Sequence, residues 1–115
     1  MAKWKSIIQA HPDRCYLCGK MNLRLEKHHI MNGQAYRSKA EADGLYVMLC
    51  TNHFESRNGM STILVQGCHE RVTDNPNQNK TLKLFAQRTW IEFNHSDLAH
   101  WMVRYGKNYE DYSVD

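Results

Sequence analysis

Two short spacings of cysteine and histidine are the strongest chemical signal in this chain. Cys15 and Cys18 are separated by two residues, and Cys50 and His53 repeat that spacing. A structural zinc site takes four thiolate or imidazole ligands, which commonly come as two such pairs from separate turns. The spacing therefore predicts a zinc site made of these four side chains, with Cys68 as an alternative fourth ligand. In the competing interpretation, Cys50 is a buried apolar thiol and His53 is a surface residue.

Three further histidines, His28, His29 and His69, could bind a metal ion or move a proton. A neutral imidazole can do either at about pH 7. Since successive strand residues point to opposite faces, the adjacent pair His28 and His29 is weak evidence without further context. Cys68 and His69 are also adjacent, but cysteine-based catalysis is disfavoured because no third group is evident to orient the base.

Length and composition limit the class of protein. At 115 residues the chain is about one domain long, and so small a core would benefit from a metal staple. No stretch approaches the roughly 20 apolar residues of a membrane span, and no export signal is evident. We therefore expect a soluble protein of the reducing cytoplasm, where thiolates persist and can hold zinc.

Positive charge is concentrated in the first third of the chain. Residues 1–40 contain eight Lys or Arg and two acidic residues, a net charge of +6, whereas the remaining 75 residues sum to −3. A local positive field attracts a polyanion even when the total charge is small, so nucleic acid is a candidate partner. A solvated lysine-rich face is the alternative.

A short leading helix is predicted in the segment 1–14. Trp4, Ile7 and Ile8 have helical spacing, and the helix is expected to span residues 3–11, because the residue before a proline is disfavoured in a helix.

The segment 15–75 is expected to hold the zinc knuckle and the core of the domain. Alternating residues predict a strand over 23–30, and an apolar run predicts a buried strand over 45–49. The two strands could pair as a hairpin with a long connection that contains the turn Asn32-Gly33. Residues 54–79 are rich in Asn, Gly, Ser and Thr, which predicts mostly loop.

Two amphipathic helices are predicted in residues 78–109. The first has apolar side chains on one face, at Leu82, Phe85, Ala86, Trp90 and Phe93. The second is expected to start after the N-cap Ser96 and to end at Gly106, with Leu98, Trp101, Met102 and Tyr105 repeating the spacing. At this spacing, aromatic residues are expected to form core rather than a base-stacking surface. The whole chain, 1–115, is therefore predicted to be one α+β domain.

Several motifs occur together in a fixed order, from the Cys-x-x-Cys turn through a strand ending in His28-His29 to a strand ending in Cys50. The other matching elements are Lys27-His-His-Ile-Met-Asn-Gly33, Gly44-Leu-Tyr-Val-Met-Leu-Cys50, Gly67-x-His69, Ala86-Gln87 and Tyr105-Gly-Lys-Asn-Tyr109. Over roughly residues 15–110, this order resembles the zinc-containing branch of the HNH (ββα-metal, His-Me finger) nuclease superfamily, in particular small HNH-like proteins of phages and prophages. The resemblance implies a small ββα-metal domain with a structural zinc knuckle and C-terminal helices, working in the cytoplasm of a bacterial host.

The resemblance also implies a function, namely metal-dependent hydrolysis of phosphodiester bonds in DNA. His28 and His69 would ligate one divalent cation, and His29 would be the catalytic general base that activates water. Mg²⁺ or Mn²⁺ is the expected ion, with Ni²⁺, Co²⁺ and Zn²⁺ left open by the imidazole ligands. The products would carry a 5′ phosphate. The DNA backbone would be held by basic residues near the histidine pair, which are Lys20, Arg24, Lys27, Arg37 and Lys39.

Three positions depart from the family pattern. Phe54 stands where many relatives have a histidine directly after the second zinc pair, Leu45 stands in place of the middle asparagine, and Arg71 occupies another asparagine position. Asn58 and Asn75 are alternative sources of the middle asparagine. These departures support a second candidate function, a catalytically inactive zinc-knuckle module that binds DNA or protein. A homodimer and a phage or host protein are further candidate partners.

Overall fold

The structure is a computed structural model that describes residues 4–31, 33–57, 59 and 61–111. It has an α+β architecture with two separate two-stranded sheets. No helix within these residues is long and apolar enough to cross a bilayer. In chain order the elements are β1 (Leu25–His29), α1 (Arg37–Asp43), β2 (Tyr46–Cys50), β3 (His53–Arg57), β4 (Ser61–Val65), α2 (Cys68–Asp74), α3 (Pro76–Phe93), α4 (Leu98–Tyr105) and a closing 3₁₀ turn (Tyr109–Asp111).

The β1–β2 hairpin forms the centre of the fold. Its strands pair antiparallel, with Leu25 opposite Cys50 and His29 opposite Tyr46. Most of β2 is buried, which accounts for its continuous apolar run. The two strands lie where the sequence pattern predicts them. Their long connection contains a helix, α1, that the sequence pattern did not predict.

The predicted leading helix is wrong, because residues 4–14 form irregular backbone with bends and turns. This segment covers the free edge of β2. Ser6 Oγ donates a hydrogen bond to the Tyr46 carbonyl (2.6 Å), and the Met48 amide donates to Gln9 Oε1 (2.7 Å). Buried edge groups need such partners, so these side chains take the place of a neighbouring strand. Ile7 and Ile8 pack on the core from this irregular segment, and the Trp4 ring contacts the Tyr46 ring.

The segment 54–79, predicted to be mostly loop, contains regular structure. β3 and β4 form a second antiparallel hairpin, and the apolar run Ile63-Leu64-Val65 lies in β4. Beyond α2, Asn75 caps α3 by accepting hydrogen bonds from two amides of the first turn (3.0 and 3.2 Å). Pro76 follows at the first helical position. Asparagine followed by proline is typical of the beginning of a helix. The polar composition of the segment led instead to the prediction of a loop.

α3 carries much of the core, but its buried face is narrower than the sequence spacing suggests. Leu82, Ala86 and Trp90 are buried, whereas Phe85 and Phe93 are 45% and 63% exposed. α3 packs against α2, α4 and the closing turn, and those contacts leave its flanks open to solvent.

α4 begins one residue later than predicted. Its N-cap is Asp97, whose carboxylate accepts a hydrogen bond from the His100 amide (3.0 Å), rather than Ser96. Gly106 ends the helix in the left-handed conformation, with φ of 76°, which glycine adopts without strain.

Asp43, the last residue of α1, joins the hairpin connection to both C-terminal helices. Its side chain is 15% exposed. The carboxylate accepts hydrogen bonds from Trp90 Nε1 (3.0 Å), Tyr105 Oη (2.6 Å) and the Arg104 guanidinium (2.9 Å). Removing this acceptor would leave three donors without a partner in a mostly buried site, which costs more than the bonds themselves contribute.

Replacing Asp43 with alanine should therefore destabilise the fold by about 2–4 kcal/mol, at or below the cost of breaking a fully buried ion pair. Urea unfolding followed by tryptophan fluorescence measures the change. Asp13→Ala is the control, because Asp13 forms an exposed ion pair with Arg14, which should contribute little to stability. Equal losses in the two variants would contradict the role of the Asp43 contacts.

Candidate metal centre and histidine cleft

Four cysteine side chains converge at the base of the β1–β2 hairpin. Cys15 and Cys18 lie in the turn before β1, Cys50 ends β2, and Cys68 begins α2. All four sulfur atoms lie within 4.8 Å of one another, and Cys18 Sγ is 3.8 Å from Cys50 Sγ. A tetrahedron of thiolates with Zn–S bonds of about 2.3 Å has an edge of about 3.8 Å. The cluster could therefore bind a zinc ion.

Backbone hydrogen bonds hold the first cysteine turn in place. The Gly19 amide donates to the Cys15 carbonyl (2.9 Å) and closes the turn, and the Tyr16 amide donates to the Met48 carbonyl (2.8 Å). The second bond fixes the turn to β2. Cys15 and Cys18 are therefore brought to the strand that ends at Cys50.

Gly67 allows the fourth cysteine to approach. It lies so close to the backbone of Thr51 that a Cβ atom at this position would overlap it, so only glycine fits. The Gly67 amide donates to Asn52 Oδ1 (2.8 Å), and the Cys68 amide donates to Cys50 Sγ (3.3 Å). These contacts place the beginning of α2 against the end of β2.

The thiols of the cluster differ in acidity. Burial raises the pKa of the Cys50 and Cys68 thiols. Burial also acts to raise the pKa of Cys15, but hydrogen bonds with the backbone at Cys18, Cys50 and Leu17 outweigh it and lower that pKa to about 7. Since zinc binds thiolates and displaces their protons, its affinity should increase with pH.

Cys68 replaces His53, the residue that the sequence spacing predicted as the fourth ligand. His53 Nδ1 donates to the Thr51 carbonyl (2.9 Å) and Nε2 donates to Glu55 Oε2 (2.7 Å), so both ring nitrogens have partners. His53 begins β3, and the chain returns to the cluster only after β4. The short spacing thus predicted three residues of the cluster; its fourth, His53, lies outside the cluster, and the alternative fourth residue, Cys68, lies within it.

His28 and His69 face each other across a cleft. His28 is 7% exposed, and its Nε2 has no hydrogen-bond partner within the described residues. The His69 ring, in the first turn of α2, lies 5.4 Å from the His28 ring between centroids. A buried nitrogen without a partner is costly, and a bound cation would satisfy it. The cleft has a volume of ≈ 390 Å³ and is also lined by Glu26, Lys27, His29, Arg37 and Thr73.

His28 is in the protonation state that binds metal. Burial lowers its pKa to about 4, and the charges of His69, His29 and Lys83 act in the same direction. The imidazole is therefore neutral at physiological pH. Outside the cysteine cluster, no three His, Cys, Asp or Glu ligand atoms in the described part of the chain meet within 4.8 Å. The cleft thus offers a cation two imidazoles, with the carboxylate of Glu26, which also lines the cleft, beside His69.

His29 points away from His28, because neighbouring strand residues alternate between faces. His29 Nε2 donates to Glu41 Oε1 (2.7 Å), and its ring packs edge-on against Tyr46, with 6.0 Å between centroids. The side chain is 20% exposed and lines the rim of the cleft. Since a carboxylate can only accept hydrogen bonds, Nε2 carries the proton and Nδ1 is available as a base.

The basic residues predicted to hold a phosphate backbone are placed unevenly. Arg37 lines the histidine cleft, and Arg24 lines an adjoining cleft that shares His69. The other three bind within the protein: Lys20 to Glu55 (2.7 Å), Lys27 to Glu41 (3.2 Å) and Lys39 to the Arg104 carbonyl (3.0 Å). Arg24 and Arg37 are thus the members of this group best placed to meet a phosphate.

Neither asparagine proposed as the middle asparagine of the family pattern is seen to line the cleft within the described residues. Asn58 lies outside the described residues, and Asn75 caps α3. Asn52, which accepts a hydrogen bond from the Gly67 amide, was missed. The spacing of metal ligands says nothing about the residues that lie between Cys50 and His53. Glu41 was missed because the helix that carries it was not predicted.

The chain matches no protein-family model, and it has no match among curated proteins or solved structures. Its function is therefore inferred from the cysteine cluster and the histidine cleft themselves.

Zinc content should identify the fourth ligand. Cys68→Ser should reduce bound zinc well below one equivalent and lower the melting temperature, because it removes a thiolate from the cluster. His53→Gln should retain one equivalent, because His53 lies outside the cluster. Mass spectrometry of metal content after dialysis measures both variants. Zinc loss from the His53 variant alone would restore His53 as the ligand.

The titration of His53 provides a second test. Hydrogen bonds with the Thr51 carbonyl and the Glu55 carboxylate raise the pKa of His53 above its ordinary value of 6.5. Because the folded-state pKa is raised, this contact stabilises the fold fully below about pH 6.5, and the stabilisation is lost as pH rises through the folded-state pKa. NMR of the imidazole should show protonation with a midpoint above 6.5, which Glu55→Gln should lower. An imidazole that does not titrate between pH 6 and 8 would indicate metal coordination, since ligation requires the neutral ring.

Proposed function

We propose that this protein is a metal-dependent endonuclease of the HNH type that hydrolyses phosphodiester bonds in DNA. The observation that supports it most strongly is the buried Nε2 of His28, which has no partner among the residues that the structure describes and lies in a cleft with His69 and His29. The cleft combines two imidazoles for a cation, one imidazole for a proton and the guanidinium of Arg37. Phosphodiester hydrolysis uses these groups.

In this proposal the four cysteines hold a structural zinc ion. A site closed by four thiolates leaves no position for substrate, so the ion contributes to folding rather than to chemistry. It would fasten the first residue of α2 to the end of β2. The position of His69, the next residue after Cys68, would then depend on the cluster.

The cysteine cluster also brings the chain closer to the family pattern. Many HNH proteins have a histidine directly after the last zinc ligand. If His53 were that ligand, Phe54 would occupy the histidine's place, but with Cys68 as the ligand the next residue is His69. The β3–β4 hairpin then counts as an insertion between the third and fourth ligands.

His28 and His69 would hold one divalent cation, Mg²⁺ or Mn²⁺ by preference. When bound, the cation would stabilise negative charge on the phosphate and on the leaving 3′ oxygen. His69 Nδ1 lies 3.6 Å from Glu26 Oε2, which places a negative charge beside the ring. Burial keeps His28 neutral and its Nε2 available as a ligand.

His29 supplies the base. A water molecule attacks phosphorus and gives its proton to His29 Nδ1, while the bond from phosphorus to the 3′ oxygen breaks and that oxygen is protonated from solvent. The products are a 5′ phosphate and a 3′ hydroxyl. Arg37 and Arg24 would hold the phosphates on either side, which positions the backbone without reading its sequence.

A second candidate function is a zinc-knuckle module that binds DNA or protein without cutting. The observation that favours it is that no third His, Cys, Asp or Glu ligand joins the histidine pair within 4.8 Å in the described ranges. Two protein ligands bind Mg²⁺ weakly, although Mg²⁺ commonly keeps several waters and binds through substrate phosphates.

Supercoiled plasmid tests the nuclease directly. With Mg²⁺ or Mn²⁺ the wild-type protein should produce relaxed DNA, and EDTA should stop the reaction. His29→Ala should lower the rate about 10²- to 10⁴-fold, because general base catalysis is lost. His11→Ala is the matched control, since His11 is exposed and does not line the cleft. A zinc-containing protein that fails to cut DNA with any of the added metals, yet retards DNA on a gel, would favour the binding module.

A further inference from the structure

Glu41 makes the shortest contact of the candidate base. Its Oε1 accepts a hydrogen bond from His29 Nε2 (2.7 Å). Lys27 Nζ lies 3.2 Å from each oxygen of the same carboxylate. The three side chains come from β1 and α1, and they meet on the face of β1 opposite His28.

The carboxylate is ionised under ordinary conditions. The hydrogen bond from His29 lowers the pKa of Glu41, and the Lys27 ammonium lowers it further. An ionised carboxylate has no proton to donate, so His29 must present Nε2–H to it. The imidazole is then fixed with its basic lone pair on Nδ1.

A second contact restrains the same ring. Tyr46 is directly opposite His29 in the strand register and packs against it edge-on. The Lys27 ammonium lies 4.4 Å from the centre of the Tyr46 ring, which holds Lys27 over the sheet and close to Glu41. The ring of His29 is therefore fixed in both orientation and tautomer.

We propose that Glu41 is a positioning residue for His29, and that Lys27 serves to hold Glu41 rather than to bind DNA. The part concerning catalysis rests on the proposed nuclease function. The part concerning the imidazole does not, because tautomer and orientation can be measured without turnover. Glu41 does not line the histidine cleft and acts only through His29.

The ¹⁵N chemical shifts of the His29 ring test the first part. At about pH 8, where an ordinary imidazole is neutral, the wild-type protein should show His29 as the Nε2–H tautomer. Glu41→Ala should give a mixture of the two tautomers. Glu41→Gln should retain most of the wild-type tautomer, because its amide oxygen can still accept. Glu92→Gln, at an exposed position of α3, is the control and should leave the spectrum unchanged.

Plasmid nicking by the same variants tests the second part. Glu41→Ala should lower kcat about 10- to 100-fold with little change in KM, a loss similar to that caused by removing the hydrogen-bond partner of a metal-ligating histidine. Glu41→Gln should lose less. The side chain of Glu41 is 47% exposed, so zinc content and melting temperature should stay close to those of wild type.

The outcomes separate this inference from the proposed function. An unchanged His29 tautomer in Glu41→Ala, or wild-type kcat in that variant, overturns the role of Glu41 even if the protein is a nuclease. A wild-type protein that does not cut overturns the nuclease, and the ¹⁵N spectra then still decide whether Glu41 fixes the imidazole. A drop in kcat that follows loss of zinc or of folded protein would make the role structural and also contradict the proposal.

Discussion

The contact between the end of β2 and the beginning of α2 is the constraint on which the rest of the structure depends. The Cys68 amide donates to Cys50 Sγ, and the sulfur atoms of Cys15 and Cys18 complete the cluster around this junction. Because His69 is the next residue, the contact that closes the cluster also sets His69 opposite His28. In a domain of this size, a metal bound there would contribute to folding and position the cleft at once.

His28 and His29 lie on opposite faces of β1. His28 turns inward to the cleft side, where burial keeps it neutral and its Nε2 has no partner within the described part of the chain. His29 turns toward α1, where Glu41 holds its Nε2–H. Two adjacent histidines can therefore have different chemistry, because strand alternation places them in different surroundings. Asp43 secures this arrangement by tying α1 to the C-terminal helices.

The sequence contained enough to predict the central hairpin and three of the clustered cysteines, because alternation and Cys-x-x-Cys spacing are local signals. It favoured His53 over Cys68 as the fourth, because the whole β3–β4 hairpin separates Cys50 from Cys68 and only the fold brings them together. The leading segment was mistaken for a helix, since the hydrogen bonds that hold it against β2 join residues far apart in the sequence and leave no local signal. Glu41 was hidden for a similar reason, as its role arises from a contact with His29.

Metal positions in a crystal of the protein grown with zinc and then soaked in Mn²⁺ would test the arrangement most directly. Anomalous scattering distinguishes the two elements by their absorption edges. The arrangement predicts zinc among the four cysteine sulfur atoms and manganese in the cleft, roughly 2 Å from His28 Nε2 and from a ring nitrogen of His69. Zinc at the cysteines with no manganese at the histidines, in crystals where the cleft is open to solvent, would contradict it and favour the binding module.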